Sequence, residues 1–491
     1  MTTTVNTGRH NGIASYSMTG EGICTGTLMF GVGFRNEPAT LAGITHLVEH
    51  LVLRRVEPVT LLHGGNVDVD TVEFWATGDR KDVAVFLNSI AAAICNFGAV
   101  TEEDVVLEKS VLEAEDPSAF TRASSGLLAY RFGMRGLGVG QFGAPTITGL
   151  SRAEAIDWVH QWFTAENAAV TFTADLPGEL VLHLPHGIVV TRGPDVAEIE
   201  KPTLVKVAKT GVALSLMVPF GSTSFLGSAL EYELLARLRH ACGLIYSVTI
   251  FTTTIDADHD QLDLILDPVH KNVPAAFKES VAAVQDVAAN GFSDEAIRYS
   301  HYGVRVALEG EDAARSGYMD RLAIDQLLGR TTLTPQEWLE QAAAITPSDL
   351  TAVLASSMAS LVVAVDRDAT VRKSDVEPFN MALDPFDIWQ RPAKGRREPE
   401  RGQPAWRHKQ SKAVLWLTPK HLLKRESGKT RSIALADIAV VGNRSCGCIA
   451  LLDRRGRTAE LPMDDWKRGK KLRAALLSAF PAEVIRAFPE E

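Results

Sequence analysis

Five consecutive residues near the front of the chain, His46-Leu47-Val48-Glu49-His50, have the types and spacing to do metal chemistry together. At 3.6 residues per helical turn His46 and His50 stand one above the other, so both imidazoles can meet one ion while Glu49 points toward the same spot. Two neutral imidazoles plus a carboxylate suit zinc. The order inverts the HExxH motif, and a glutamate beside the second histidine can act as general base on a metal-bound water. A catalytic zinc takes three protein ligands and keeps one position open, so a further ligand has to come from elsewhere.

The acidic stretch 101–115 is the candidate source. Thr101 and Asp104 form the start of a capping box, the residues between are good helix formers, and Pro117 is the expected stop. Glu108 and Glu115 are seven apart and share a face, whereas Glu113 is turned by roughly 200° from Glu115. Taken alone, such a helix is equally a solvated acidic face. Around it, residues 26–34 predict a buried strand broken by the turn at 35–38. Residues 43–53 predict the histidine-bearing helix, Gly64 and Gly65 a turn, 72–76 a strand and 82–97 a second helix.

Composition limits the rest. With 491 residues, 46% hydrophobic and 22% charged, the chain reads as a globular protein of two to four domains. Residues 1–20 lack an apolar signal-like stretch, no run of eighteen apolar residues occurs, and the five scattered cysteines fit a reducing compartment, so a cytoplasmic location is expected. The net charge of −10 is unevenly spread: residues 391–491 hold 23 Lys+Arg against 11 Asp+Glu, or +12, leaving −22 for residues 1–390. No aromatic-and-basic stacking motif accompanies the basic tail, which argues against nucleic acid as its partner.

The run Gly43-Ile44-Thr45-His46-Leu47-Val48-Glu49-His50 follows Arg35-Asn36-Glu37-Pro38, with Glu108-Lys109-Ser110-Val111 and Glu115 further on. It resembles the insulinase/pitrilysin family of zinc metallopeptidases. The resemblance continues in residues 149–167 and in Leu238-Arg239-His240-Ala241-Cys242-Gly243-Leu244-Ile245-Tyr246-Ser247, covering residues 15 to 370. It implies that His46, His50 and Glu115 bind zinc and that Glu49 is the general base. It also implies that Glu108 supports a ligand from behind and that Arg239 and Tyr246 contact substrate and polarise the scissile carbonyl. Glu113 replaces Glu115 as ligand if the helix is rotated. Two departures stand out: the stretch between His50 and Glu115 is shorter than is usual for the family, and Asp68 and Val69 replace the usual Asn and Ala after Gly64-Gly65.

The implied fold class is α+β, with two similar α/β-layer halves of the insulinase/pitrilysin type. Residues 1–190 form the zinc-binding half, 191–209 a linker and 210–388 the second half. In that second half, strands are expected at 213–220, 247–253, 261–267 and 360–365, with helices at 230–239 and between 273 and 354. A basic linker at 389–410 leads to a small C-terminal β-barrel capped by a helix at 464–480, over residues 411–491, similar to a pleckstrin-homology-like domain. The expected function is a zinc endopeptidase hydrolysing short or extended peptides in a closed chamber, as a homodimer or with a related subunit. The alternatives are a non-catalytic scaffold or partner subunit, and a body recruited through its tail to an anionic lipid or acidic protein partner.

Overall fold

The computed structural model describes residues 5–56, 58–115, 127–188, 201–208, 211–309, 313–391 and 403–489, with residues 195, 197, 199 and 399 singly. Pro117, much of the expected linker at 191–209 and the basic run 392–398 lie outside the described residues. Among the described residues the architecture is mixed α/β, with two six-stranded and two four-stranded sheets.

The first sheet contains β1 (Val5–His10), β2 (Ile13–Met18), β3 (Ile23–Phe30), β4 (Leu62–Val67), β5 (Val72–Asp79) and β6 (Ala168–Phe172), in the order β1-β2-β6-β3-β5-β4. The helices along this part of the chain are α1 (Ile44–Arg54), α2 (Arg80–Cys95), α3 (Glu102–Glu115), α4 (Leu127–Phe132) and α5 (Arg152–Trp162). Period-two alternation sorts the strand residues between two faces. Leu28, Phe30, Phe74, Val170 and Phe172 join the core under α1, α2 and α5. Met29 and Ala169 point the other way.

The second sheet is built from β7 (Thr203–Ala208), β8 (Val212–Pro219), β9 (Val248–Thr254), β10 (His259–Leu266), β11 (Val362–Asp366) and β12 (Ala382–Asp384), in the order β12-β7-β11-β8-β10-β9. Its helices are α6 (Thr223–Leu234), α7 (Val273–Asn290), α8 (Asp294–Glu309), α9 (Ala313–Leu327), α10 (Pro335–Ala344), α11 (Pro347–Ser357) and the short α12 (Lys373–Val376). The two orders correspond strand for strand from β2 and β7 to the edges β4 and β9, and in each the strand next to the first long hairpin runs parallel to it, β6 on β2 and β11 on β7.

The sheets exchange helices. Met319 and Ala323 of α9 cover Tyr16, Met29 and Ala169 on the first sheet, while Leu127, Ala129 and Tyr130 of α4 cover Val205, Val207, Val362 and Ala364 on the second. Arg131 of α4 is buried at this seam, donating to Gln261 Oε1, Ser215 Oγ and the Ser360 carbonyl, each at 2.9 Å.

The C-terminal part pairs β13 (Ala405–Arg407), β14 (Val414–Leu417), β15 (His421–Glu426) and β16 (Lys429–Ala434) in one sheet. The other sheet has β17 (Ile438–Asn443), β18 (Ile449–Asp453), β19 (Thr458–Leu461) and β20 (Ile485–Ala487), in the order β19-β18-β17-β20, with α13 (Gly469–Leu477) between its last two strands in sequence. Leu415 and Ile433 of one sheet, Val441 and Leu451 of the other and Leu472 of α13 share one core. This part is seated on the body: Met134 N–H donates to the Arg454 carbonyl, Arg486 pairs with Glu154 at 2.8 Å and Arg455 with Asp384 at 2.8 Å.

Several boundaries differ from expectation. Gly64 and Gly65 lie within strand β4 rather than in a turn. Strand β3 stops at Phe30, and a 3-10 turn over Phe34–Asn36 occupies the end of the expected strand. The expected linker contains β7, and the helix expected at 230–239 begins at Thr223 and passes into a π-helical stretch over Leu235–Ala241. The C-terminal helix is shorter than expected because Arg468, with φ of 62°, starts it only at Gly469.

Candidate metal centre

Helix α1 is held at its N-terminus by a carboxylate from the loop before it. Glu37, buried, accepts from Gly43 N–H at 2.7 Å and Thr45 N–H at 2.9 Å, satisfying two donors that a helix start leaves over. Burial pushes Glu37 up to about 7, against the opposing pull of those two N–H groups. Gly43 sits at φ 94°. That left-handed conformation suits glycine.

Two turns of α1 then present His46 and His50, ring centroids 4.8 Å apart. Glu115, the last residue of α3, brings its Oε2 to 3.3 Å from His50 Nε2 and 3.8 Å from His46 Nε2. The donor atoms of these three residues all lie within 4.8 Å of one another. A tetrahedral zinc with bonds of about 2.0–2.1 Å places neighbouring donors about 3.4 Å apart, so this set fits the ion in chemistry and in spacing. Glu113 faces elsewhere and accepts from Thr148 Oγ1 at 2.9 Å.

The remaining residues fix this arrangement. Glu108 is buried and accepts from His50 Nδ1 at 3.2 Å and Arg54 Nη1 at 3.1 Å. A carboxylate on Nδ1 selects the tautomer that leaves the Nε2 lone pair for a metal. Arg54 also binds Asp104 at 2.9 Å, and Asp104 is held down to about 2, first by the Thr101 backbone N–H and then by Arg54. This ties α1 to the cap of α3, so both helices that carry the candidate ligands share one anchor. Glu49 is 4% exposed, with Oε2 at 3.6 Å from His50 Nε2 and 3.9 Å from His46 Nε2.

Gly65 explains why β4 carries glycines. A Cβ built there would lie 1.8 Å from Glu49 Oε1, whereas one at Gly64 would come no nearer than 3.2 Å, to the Trp75 ring. Gly65→Ala should displace Glu49 and cost about 1–3 kcal/mol, as for other overpacked sites. The check is a lowered denaturation midpoint for Gly65→Ala compared with Gly64→Ala.

The departures around Asp68 also find a place. Asp68 O and Val69 O accept the N–H groups of Phe34 and Arg35 at 3.1 and 3.0 Å, and Asp70 pairs with Arg35 at 3.3 Å and with Arg330 at 3.6 Å. The β4–β5 turn is thereby clamped to the loop that leads into α1 and to the segment that follows α9. Arg239 and Tyr246 form a second cluster, at the end of the π-helical stretch: the guanidinium carbon lies 4.7 Å over the Tyr246 ring, and Tyr246 is 71% exposed. Sequence reasoning did not find Glu37 or Gly65 as supports of the site. Glu37 acts across six to eight residues and Gly65 across sixteen, where no short motif reports a contact.

No protein-family model matches the chain, and no curated protein does. Solved structures do match. One is a chain of complex III2 from Candida albicans with Inz-5 bound, at TM-score 0.65 and 13% identity, covering 77% of this chain and 100% of that one. Another is a protease from Helicobacter pylori, at TM-score 0.60 and 15% identity, covering 74% and 99%. A third is a peptidase M16 inactive domain from Pseudomonas fluorescens, at TM-score 0.59 and 14% identity, covering 73% and 97%. The chain therefore shares the fold of these structures, an M16 peptidase domain among them. Both proteases and an inactive domain share it, so activity has to be argued from the residues of this chain.

Proposed function

We propose that the chain is a zinc-dependent endopeptidase acting on short or extended peptides. The observation that carries this is the convergence of His46, His50 and Glu115 on one point with the buried Glu49 beside it. Zinc held by the three ligands would supply Lewis-acid chemistry, polarising a carbonyl and lowering the pKa of water. Glu49 would take a proton from the attacking water and return it to the leaving amine. Glu108 keeps His50 in the ligating tautomer, and Arg54 offsets the carboxylate charge behind it. Strand β4 is the edge of its sheet, with Gly65 over Glu49, which favours an extended peptide added alongside it with its backbone close to the base. Arg239 and Tyr246 would then meet that peptide from the second sheet and help hold its carbonyl oxygen.

The domain reading that goes with this is two peptidase-like halves, residues 1–190 and 210–388, and a C-terminal pleckstrin-homology-like unit over 411–491. The matching strand orders favour the first part, and the shared core beneath α13 the second. Arg455, Arg486 and Arg431, which pairs with Asp387, make the body one acidic partner of the basic tail. Residues left facing outward on the tail could seat anionic lipid. No helix among the described residues is long and apolar enough to cross a membrane.

The competing reading is a non-catalytic partner subunit, as the inactive M16 domain shows the fold can be. Purified chain should hold about one zinc and cleave a quenched fluorogenic peptide library, losing activity to a chelator and regaining it with zinc. Zinc with no cleavage, alone or with a related subunit, would favour the partner reading; absence of zinc would sink both the metal centre and the enzyme.

A further inference from the structure

The second sheet repeats the surroundings of the metal centre without its ligands. Helix α6 follows β8 as α1 follows β3, β9 is a sheet edge as β4 is, and α8 is the second helix after β10 as α3 is after β5. In each set the first helix packs against the edge strand and the later helix. Where α1 offers His46 and His50, four residues apart, α6 offers Ser224 and Ser228 with the same spacing. Where α3 sets Glu108 against His50, α8 sets Gly303 against Ser228: a Cβ built at Gly303 would meet nothing nearer than Ser228 Oγ, at 3.8 Å. Small residues in these positions leave a cavity of 430 Å³.

Its walls are mostly apolar, with Phe220, Ile250, Val304 and Trp338 among them, and α9 contributes two charged groups, Arg321 and Asp325. Asp325 is 2% exposed. One of its oxygens, Oδ2, accepts from Thr332 Oγ1 at 2.9 Å, and the other, Oδ1, is buried with no hydrogen-bond partner among the described residues. Arg321, one helical turn earlier, is exposed and makes no hydrogen bond among the described residues, although its charge, like that of Arg330, acts on Asp325. A buried carboxylate oxygen without a donor calls for one. An anion alone would face Asp325, a cation alone would face Arg321, and a plain hydrocarbon would leave the carboxylate oxygen unmet.

We propose that this cavity binds a free α-amino acid or dipeptide with a bulky apolar side chain, its ammonium on Asp325, its carboxylate on Arg321 and its side chain against Trp338 and Ile250. Groups four residues apart on a helix stand about one turn, or 5–6 Å, apart, a separation that a zwitterion with a hydrogen bond at each end can span. Such molecules are what complete peptide hydrolysis leaves behind. The biological sense of the site therefore rests on the peptidase reading, while the binding itself does not.

The test is calorimetric titration of the full chain carrying Glu49→Gln, so that no turnover intervenes, with phenylalanine, leucine and Leu-Phe. N-acetylphenylalanine, which lacks the ammonium, and phenylalaninamide, which lacks the carboxylate, are the controls. Saturable binding of the free forms is expected, with each blocked form weaker by about tenfold or more, the weight of one charge-assisted contact. Gly303→Leu should abolish binding by filling the cavity; replacing a helical glycine favours the helix, so the variant is expected to fold. Arg321→Gln should weaken phenylalanine by about tenfold and leave phenylalaninamide no weaker than before. No saturable binding of any free form, equal binding of the N-acetylated form, or binding that survives Gly303→Leu would each overturn the proposal. Binding by a chain whose wild type cleaves no peptide would leave this site standing without the peptidase, and cleavage without binding the reverse.

Discussion

Glu49→Gln is expected to lower peptide turnover by about 10²–10⁴-fold, the usual weight of a general base, while zinc content stays the same. The substitution preserves the shape of the side chain in a place where Gly65 leaves no spare room. It removes only the capacity to accept and return a proton. Because the proposed ligand set is His46, His50 and Glu115, without Glu49, the metal should remain. His50→Ala, by contrast, should lose both metal and turnover. The measurements are metal analysis and initial rates on the same preparations. Unchanged turnover in Glu49→Gln would move the base elsewhere, and loss of zinc together with turnover would make Glu49 a ligand instead.

Arg131→Ala should destabilise the protein by about 3–5 kcal/mol, as expected when one member of a buried charged network is removed. Gln261 sits between the charges: its Oε1 accepts from Arg131, and its Nε2 donates to Asp263 at 3.0 and 3.1 Å. Burial, only partly offset by Gln261, Ser215 and Arg131, pushes Asp263 up to about 6 from 3.8. A raised carboxyl favours the folded state most below its unfolded value, and that advantage is lost as pH rises through the folded one. Without Arg131 the ionised Asp263 has lost its nearest cation, so the deficit of Arg131→Ala should be largest above pH 6 and shrink toward pH 4. Denaturant melts of both proteins at pH 5 and pH 8 would show this. An equal deficit at both would mean that Arg131 acts through packing and its neutral partners rather than through charge.

The parts of the molecule legible in sequence are those fixed by local spacing. His46, Glu49 and His50 lie within one helical turn and a half, and the Thr101–Asp104 cap lies within four residues, so periodicity and capping chemistry reach them. Glu108 and Glu115 could be placed on one face, and the resemblance pointed to Glu115, whereas the turn of Glu113 toward Thr148 depends on how α3 packs and no local spacing reports it. Strand β4 was hidden because Gly64 and Gly65 speak locally for a turn, while the reason for a glycine there is the approach of Glu49 from another element. Strands β1 and β2 were hidden among threonines, serines and glycines, and β12, β13 and β20 are three residues each, too short to show alternation. The start of α6 is hidden because Gly227 and two serines weaken its helical signal, although a Cβ built at Gly227 would lie 3.1 Å from both Ile250 and Leu262, where a larger residue would crowd them.

The exchange of α4 and α9 across the two sheets bears on how the chain comes apart. A cut between residues 189 and 200 would leave each fragment with one bare apolar sheet face and one stray helix whose proper seat is on the other fragment. Neither piece is then a self-sufficient folding unit, and the pair should stay together through purification after such a nick and melt as one. Expression of either piece alone should yield aggregates, and mixing the two during refolding should rescue both.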